Sequence, residues 1–330
     1  MAGLHLRGVF LPDETERDAW LVDGRLTFDR PNGDTHTIAR GGWIVPGFVD
    51  AHCHVGLAPQ GHVPEEEGQA RQALLDREAG ALLLRDAGSP VDNTSIQRRD
   101  DLPRLIRAGR HIARPKRYIR GLGIEVEPEE LVAEVERQAA RGDGWVKIAA
   151  DWIDRSLGDL APVWPDDVLA AAISRAHELG SRVAAHVFGE DALPGLIAGG
   201  IDSIEHGTGL TDELVARAVE SGAGVVPTLI NIDNNPSIAR AADEKFPVYA
   251  AHMRALFATS RDRIRSAWEA GVPQPDVIAQ ASWRGREWLG LTGLVEGAEA
   301  DVIVFDTDPR EDLAALFQPQ RVVLRGRVVR

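Results

Sequence analysis

Val45-Pro46-Gly47-Phe48-Val49-Asp50-Ala51-His52-Cys53-His54 is an apolar run that ends in two histidines. Their i, i+2 spacing in a strand puts both imidazoles on one face. At the C-terminal end of a strand in a parallel α/β barrel, that face looks into the mouth, where such barrels keep their active sites. Two neutral imidazoles so placed can hold one zinc or similar ion. Alone, His-x-His reads as readily as two loop histidines, so the rest of the chain has to decide.

Outward from this stretch the central chain repeats one rhythm: a short apolar run, a polar loop, then a helical pattern. The runs are Trp43–Val49, Ala81–Leu84, Tyr118–Leu122, Trp145–Ala150, Val183–Val187, Ile201–Ile204 and Val225–Ile230. Residues 128–140 and 165–179 read as helices, the second with Asp166 and Asp167 in its first turn. Alternating β and α elements imply a parallel sheet, and this length and count predict a (β/α)₈ barrel of the TIM type. Only seven strands are found. Residues 248–271 read as helix, and Pro273-Gln274-Pro275-Asp276 starts another with no strand between.

The two ends differ from the middle. Residues 1–45 alternate apolar and polar in short runs, with an Asp23-Gly24 hairpin signal, and residues 301–306 and 321–329 are strand-like. We expect a small composite β-sandwich from residues 1–45 and 298–330, and a hydrolase-type barrel from 46–297.

Three more residues converge on the first histidines. His186 and His206 end successive strands 20 residues apart, about one tight α/β unit. Either alone reads best as a hydrogen-bonded structural histidine; together with His52 and His54 they point to one site. His5, His36, His62, His111, His177 and His252 fit no such pattern. Lys147 lies inside Trp145-Val146-Lys147-Ile148-Ala149-Ala150, in a chain with only three lysines. Burial favours a neutral amine, which can take up CO₂ as a bridging carbamate. The alternative is a lysine that snorkels or pairs with Asp151. Around the mouth, Tyr118, Arg120, Arg155 and Asn231 are the candidate substrate-binding residues. Arginine could clamp a carboxylate, or Arg155 could simply pair with Asp151 or Asp154. Arg85-Asp86-Ala87-Gly88 ends strand two and is either substrate-facing or structural.

Composition excludes several classes. The 330 residues carry a net charge of −14, so nucleic acid is an unlikely partner. No run of 18 apolar residues or signal-peptide pattern is seen, so a membrane role is not expected. Cys53 is the one cysteine, so no internal disulfide forms and a cytoplasmic location is expected. A small-molecule substrate is the expected partner, and homo-oligomer formation is left open.

These residues resemble the amidohydrolase superfamily over nearly the whole chain. The residues 45–54 stretch resembles its opening signature; Trp145-Val146-Lys147-Ile148, Ala185-His186 and Ile204-Glu205-His206-Gly207 follow in the family's order. Residues 294–305 look like its return into a β-sandwich. Within the superfamily the chain is most similar to imidazolonepropionase-like and prolidase-like hydrolases. The resemblance implies a binuclear centre of two divalent ions, with zinc the expected metal. His52 and His54 would bind the more buried ion, His186 and His206 the second, and carboxylated Lys147 would bridge them. A bridging hydroxide would cleave a C–N amide-type bond of a dipeptide, an N-acyl amino acid or a cyclic amide. Asp50 and Glu205 would orient imidazole N–H groups, or else serve as ordinary caps and ion pairs.

One departure stands out. The resemblance implies a catalytic aspartate at the end of strand eight, after Ala270-Gly271-Val272, where this sequence goes straight to Pro273 and a helix. The missing strand and the missing aspartate coincide, as if roughly 25–30 residues, one βα unit, were absent. Asp151, Asp233 and Asp276 sit at no recognisable strand-eight end. Either the protein has a segment beyond the sequence as written, or it is a catalytically impaired metal-binding relative. A mononuclear deaminase is a further alternative, which Lys147 argues against.

Overall fold

In the computed structural model, residues 3–59, 61–269 and 273–330 are described. The chain opens with β1 (Gly3–Phe10), β2 (Thr15–Val22), β3 (Arg25–Thr27) and the long β4 (Thr35–Pro46). Asp23 and Gly24 both take positive φ, which lets β2 pair tightly with β3 from Val22↔Arg25 onward. The run read as Trp43–Val49 divides at Gly47. Its first half finishes β4, and β5 (Phe48–Cys53) begins the central part.

Helix α1 (Glu66–Glu78) leads to β6 (Ala81–Asp86), and then to β7 (Arg104–Arg107) and β8 (Ile112–Ala113). The third strand is therefore not Tyr118–Leu122, which forms turns. Arg104 and Arg107 give that stretch the look of a surface loop, yet each arginine finds an acid, Glu299 and Asp143. After α2 (Leu131–Ala139) come β9 (Trp145–Ala149), α3 (Asp166–Glu178), β10 (Arg182–Val187), α4 (Leu193–Ala198), β11 (Ser203–His206), α5 (Asp212–Ser221) and β12 (Gly224–Val226). Helix α3 buries Leu169, Ala172, Ile173 and Ala176, one stripe at i, i+3, i+4 and i+7. Thr211 caps α5 through Leu214 N, and left-handed Gly222 ends it.

The central strands run parallel in two arcs, β5-β6-β7 and β8-β9-β10-β11-β12, with the two-residue segment Ile124–Glu125 beyond β8. The chain carries one arc into the other through residues 108–111. Helices α6 (Asn235–Ala242), α7 (Pro247–Glu269), α8 (Gln274–Ala281) and α9 (Trp283–Trp288) follow β12. Among the described residues no strand lies between β12 and β13 (Val302–Phe305). The expected aspartate-bearing segment would begin at Ala270–Val272, which lie outside the described residues. Strands β5 and β12 do not pair with each other. Between them lies a cavity of about 430 Å³, walled by Val49 and Ala51 on one side and Val225 and Val226 on the other, and backed by Val277 and Trp288.

The C-terminal strands β13, β14 (Arg321–Leu324) and β15 (Arg327–Val328) join the first four in one seven-stranded sheet, ordered β15-β14-β13-β4-β1-β2-β3. The two ends thus build a composite unit, as one sheet where two facing sheets were expected. It curls until β3 meets residues 297–300 through Leu26 N–Ala298 O and Ala300 N–Gly24 O, both 2.9 Å. Leu6, Leu21, Ile44, Val302 and Val323 fill its inside. Val45, Ile303 and Val322 pack with Leu82 and Ile278 of the central part.

Candidate metal centre

The strand ends bring His52, His54, Lys147, His186 and His206 together. Ring centroids lie 5.0 Å apart for His52–His54, 4.9 Å for His52–His206 and 4.7 Å for His186–His206. Burial lowers the pKa of each of the four histidines, that of His54 to about 3, so all four imidazoles are neutral at pH 7 and keep a lone pair to donate. Lys147 is completely buried, and its Nζ has no hydrogen-bond partner. Burial brings its pKa down to about 7. No carboxylate takes its proton: the expected alternative partner, Asp151, spends its oxygens on the backbone N–H groups of Phe188 and Gly189.

Each ring is aimed by a neighbour. His54 Nδ1 lies 2.9 Å from Gly88 O, and His52 Nδ1 bonds Glu205. This leaves the opposite nitrogen of both rings for the site. Glu205 is fully buried and also accepts from Arg85 at 2.7 Å and Ser203 at 2.5 Å. Burial would raise its pKa, but Arg85, Lys147 and His52 hold it well below the usual carboxylate range. The Glu205 carboxylate thus meets an imidazole, whereas Asp50 Oδ1 accepts from the backbone N–H of His52. His206 sits in left-handed backbone at φ 68, as does Thr228 at φ 44, whose hydroxyl lies 2.5 Å from His206 Nδ1. Two non-glycine residues in that region at one site mark stored backbone strain.

Of the substrate candidates, Tyr118 is buried, with its ring 5.1 Å from His186 and 4.8 Å from Trp152, although it stands in a loop after the third strand. The side-chain amide of Asn231 lies 3.2 Å from His206 Nδ1. Arg120 and Arg155 are exposed and touch none of these groups. Asp154 pairs with Arg117, at 2.8 Å, and not with Arg155. Arg85 and Asp86 are both buried and bonded within the fold. Asp86 accepts from Val55 N, Gly88 N and Asn93 and so shapes the loop that carries Gly88. Of the spare aspartates, Asp233 and Asp276 pair with surface arginines. Asp151 is buried 4.0 Å from His186 Nε2, and burial raises its pKa to about 7.

One site residue escaped the sequence reading. His111 is completely buried, 5.3 Å from His54 and 5.2 Å from Tyr118, and neither ring nitrogen has a partner. Gly88 makes room for it, since a Cβ there would come within 2.6 Å of the ring. The signal was present: His111 precedes the apolar pair Ile112-Ala113, a strand too short and too hemmed by arginines to stand out.

The unpartnered Nζ of Lys147, His186 Nε2 and both His111 nitrogens, set among neutral imidazoles, fit a group that supplies cationic Lewis acidity. Among the described residues no three His, Cys, Asp or Glu donors already stand at gripping distance, so the side chains must draw in to bind an ion.

Residues 43–329 match the profile of the Amidohydrolase family. An uncharacterized protein of Mycobacterium tuberculosis (strain ATCC 25618 / H37Rv) is 51% identical, over 98% of this chain and 95% of its own length. That alignment spans 354 positions, more than the 330 residues here, so the relative has residues with no counterpart in this chain. Among solved structures, an amidohydrolase superposes with a TM-score of 0.80 at 20% identity, over 99% of this chain and 98% of that one. A Xaa-Pro dipeptidase with methionine bound in its active site gives 0.77 at 20% identity, over 99% of each chain. Sequence match, fold and the order of the histidines and lysine along the strands agree: the chain belongs to the amidohydrolase family.

Proposed function

We propose that this chain is a metal-dependent hydrolase that cleaves a C–N amide-type bond in a dipeptide, an N-acyl amino acid or a cyclic amide. Lys147 carries the reading: a buried amine with no partner, in the midst of four neutral imidazoles. His52 and His54 would hold one divalent ion and His186 and His206 another, zinc being the expected metal, with a carbamate on Lys147 between them. Bound there, the ions would lower the pKa of a water molecule and polarise the substrate carbonyl. Glu205, anchored by Arg85, keeps the His52 ring turned for this task. Neutral His111 can donate a hydrogen bond to a substrate oxygen. Tyr118, Trp152 and Phe188 line the His186 side with aromatic surface and exclude water. The solved Xaa-Pro dipeptidase supports a dipeptide as the first substrate to try.

The parallel arcs are further read as a TIM-type barrel, residues 46–297, without its eighth strand, and residues 1–45 with 298–330 as the accessory unit. The cavity between β5 and β12 and the longer relative support this reading. A strand there would also bring the aspartate expected at its end. This favours a second reading, a metal-binding relative with impaired catalysis.

Metal counting with hydrolysis of a panel of Xaa-Pro dipeptides, N-acyl amino acids and lactams tests both. We expect two ions per chain and turnover of at least one class. Lys147→Met should keep at most one ion, with a loss of affinity beyond the roughly 10–100-fold that removal of an outer-shell partner causes. Two ions with no turnover would establish the second reading, and no bound metal would overturn both.

A further inference from the structure

A second cavity, about 490 Å³, lies outside the metal centre, between the loop of residues 89–94, the β7–β8 connection and the C-terminal turn of α2. Three arginines line it: Arg107, Arg110 and Arg141. Arg107 is fully committed, to both oxygens of Asp143 at 2.9 Å and to the Thr94 hydroxyl at 2.7 Å. The other two are not. Among the described residues neither Arg110 nor Arg141 has an ion-pair partner, and Arg110 Nε is buried with no hydrogen bond at all. The one acid in the lining, Asp92, already accepts from the N–H and hydroxyl of Thr94.

In a chain of net charge −14, two uncompensated guanidinium groups facing one cavity are out of keeping with their surroundings. A buried Nε–H with no acceptor is the kind of gap that a bound ion fills. Guanidinium forks match the spacing of oxyanion oxygens. We propose that this cavity is a binding site for a small, multiply charged oxyanion of the phosphate class, held by Arg110 and Arg141. Its walls are shared with the metal centre. Gly88 O, which takes His54, directly precedes the 89–94 loop, Ser89 N bonds Gly109 O at 3.0 Å, and Arg110 adjoins His111. An anion here braces the two loops that place His54 and His111.

The site is tested by calorimetric titration of the whole protein with inorganic phosphate. One saturable event is expected, weakened at least tenfold in Arg141→Glu and in Arg110→Gln. Arg114→Gln, a surface arginine paired with Glu127, should bind as the parent does. Arg141 is exposed, so its charge reversal leaves the core intact and keeps the test valid should Arg110→Gln fail to fold. No saturable uptake to about 100-fold above the protein concentration, or equal uptake in all variants as from phosphate held at the metal centre, would overturn the proposal.

Discussion

Strands β9, β10 and β11 and the seam between β5 and β12 lie in the same parallel arrangement, yet they are built differently. The first three form continuous ladders, and Lys147, His186 and His206 stand on them almost without exposure. At the seam two strand edges face each other unpaired, and apolar side chains meet solvent: Val225 is 41% exposed and Ile230, just beyond, 79%. The wall holds Lys147, His186 and His206 in a low-dielectric setting because each of its three strands is paired on both sides. On the proposed reading, ion binding would rest on the wall and bond cleavage on the aspartate expected at the seam, so one could survive without the other.

The largest effect should come from Glu205→Gln on the wall. It leaves Arg85 buried without its charge partner, which costs about 3–5 kcal/mol in urea unfolding. A loss under 1 kcal/mol would mean that the wall relaxes as readily as the seam. Next, Ile204→Ala, in the core behind the wall, should lose about 2–5 kcal/mol, whereas Val225→Ala at the seam should stay within about 0.5 kcal/mol. If Val225→Ala costs as much as Ile204→Ala, the seam is covered in solution and the contrast falls.

The smallest effect concerns α7, which His252 ties to the loops that follow β9 and β10. Its Nδ1 lies 2.9 Å from Asp159 and its Nε2 3.0 Å from Glu190, so both nitrogens face carboxylates, which favour the cation. Burial opposes that charge, but the two hydrogen bonds outweigh it and the pKa is raised above 6.5. The stabilisation is therefore full below pH 6.5 and fades as the pH rises through the higher folded value. His252→Gln should flatten the fall in stability as the pH rises above 6.5, in unfolding measured across that range. An unchanged slope would show that the tether carries no charge.

Legibility followed hydrophobic contrast. Trp145–Ala149 and Arg182–Val187 could be read because a strand buried on both faces is a mostly apolar run, in which Lys147 and His186 stand out. Arg104–Ala113 could not, because Arg104 and Arg107 are neutralised by Glu299 and Asp143, which the sequence does not place beside them. His111 went unseen with it. The apolar run Tyr118–Leu122 misled in the opposite sense: its Tyr118 is buried by the site itself, not by a sheet. A missing period could be read in the sequence, whereas the groove between β5 and β12 emerges only in three dimensions.

Arg85 has one more consequence. Its guanidinium lies 4.4 Å from the ring of Trp145 and 4.9 Å from that of Trp288, and the two indoles are 5.4 Å apart. Trp145 belongs to the wall and Trp288 to the helix that backs the seam. Two indoles this close couple their electronic transitions, so the protein contains its own optical gauge. A paired circular-dichroism band that disappears in Trp288→Phe would report, without any label, whether the last helix stays seated while the metal centre fills or empties.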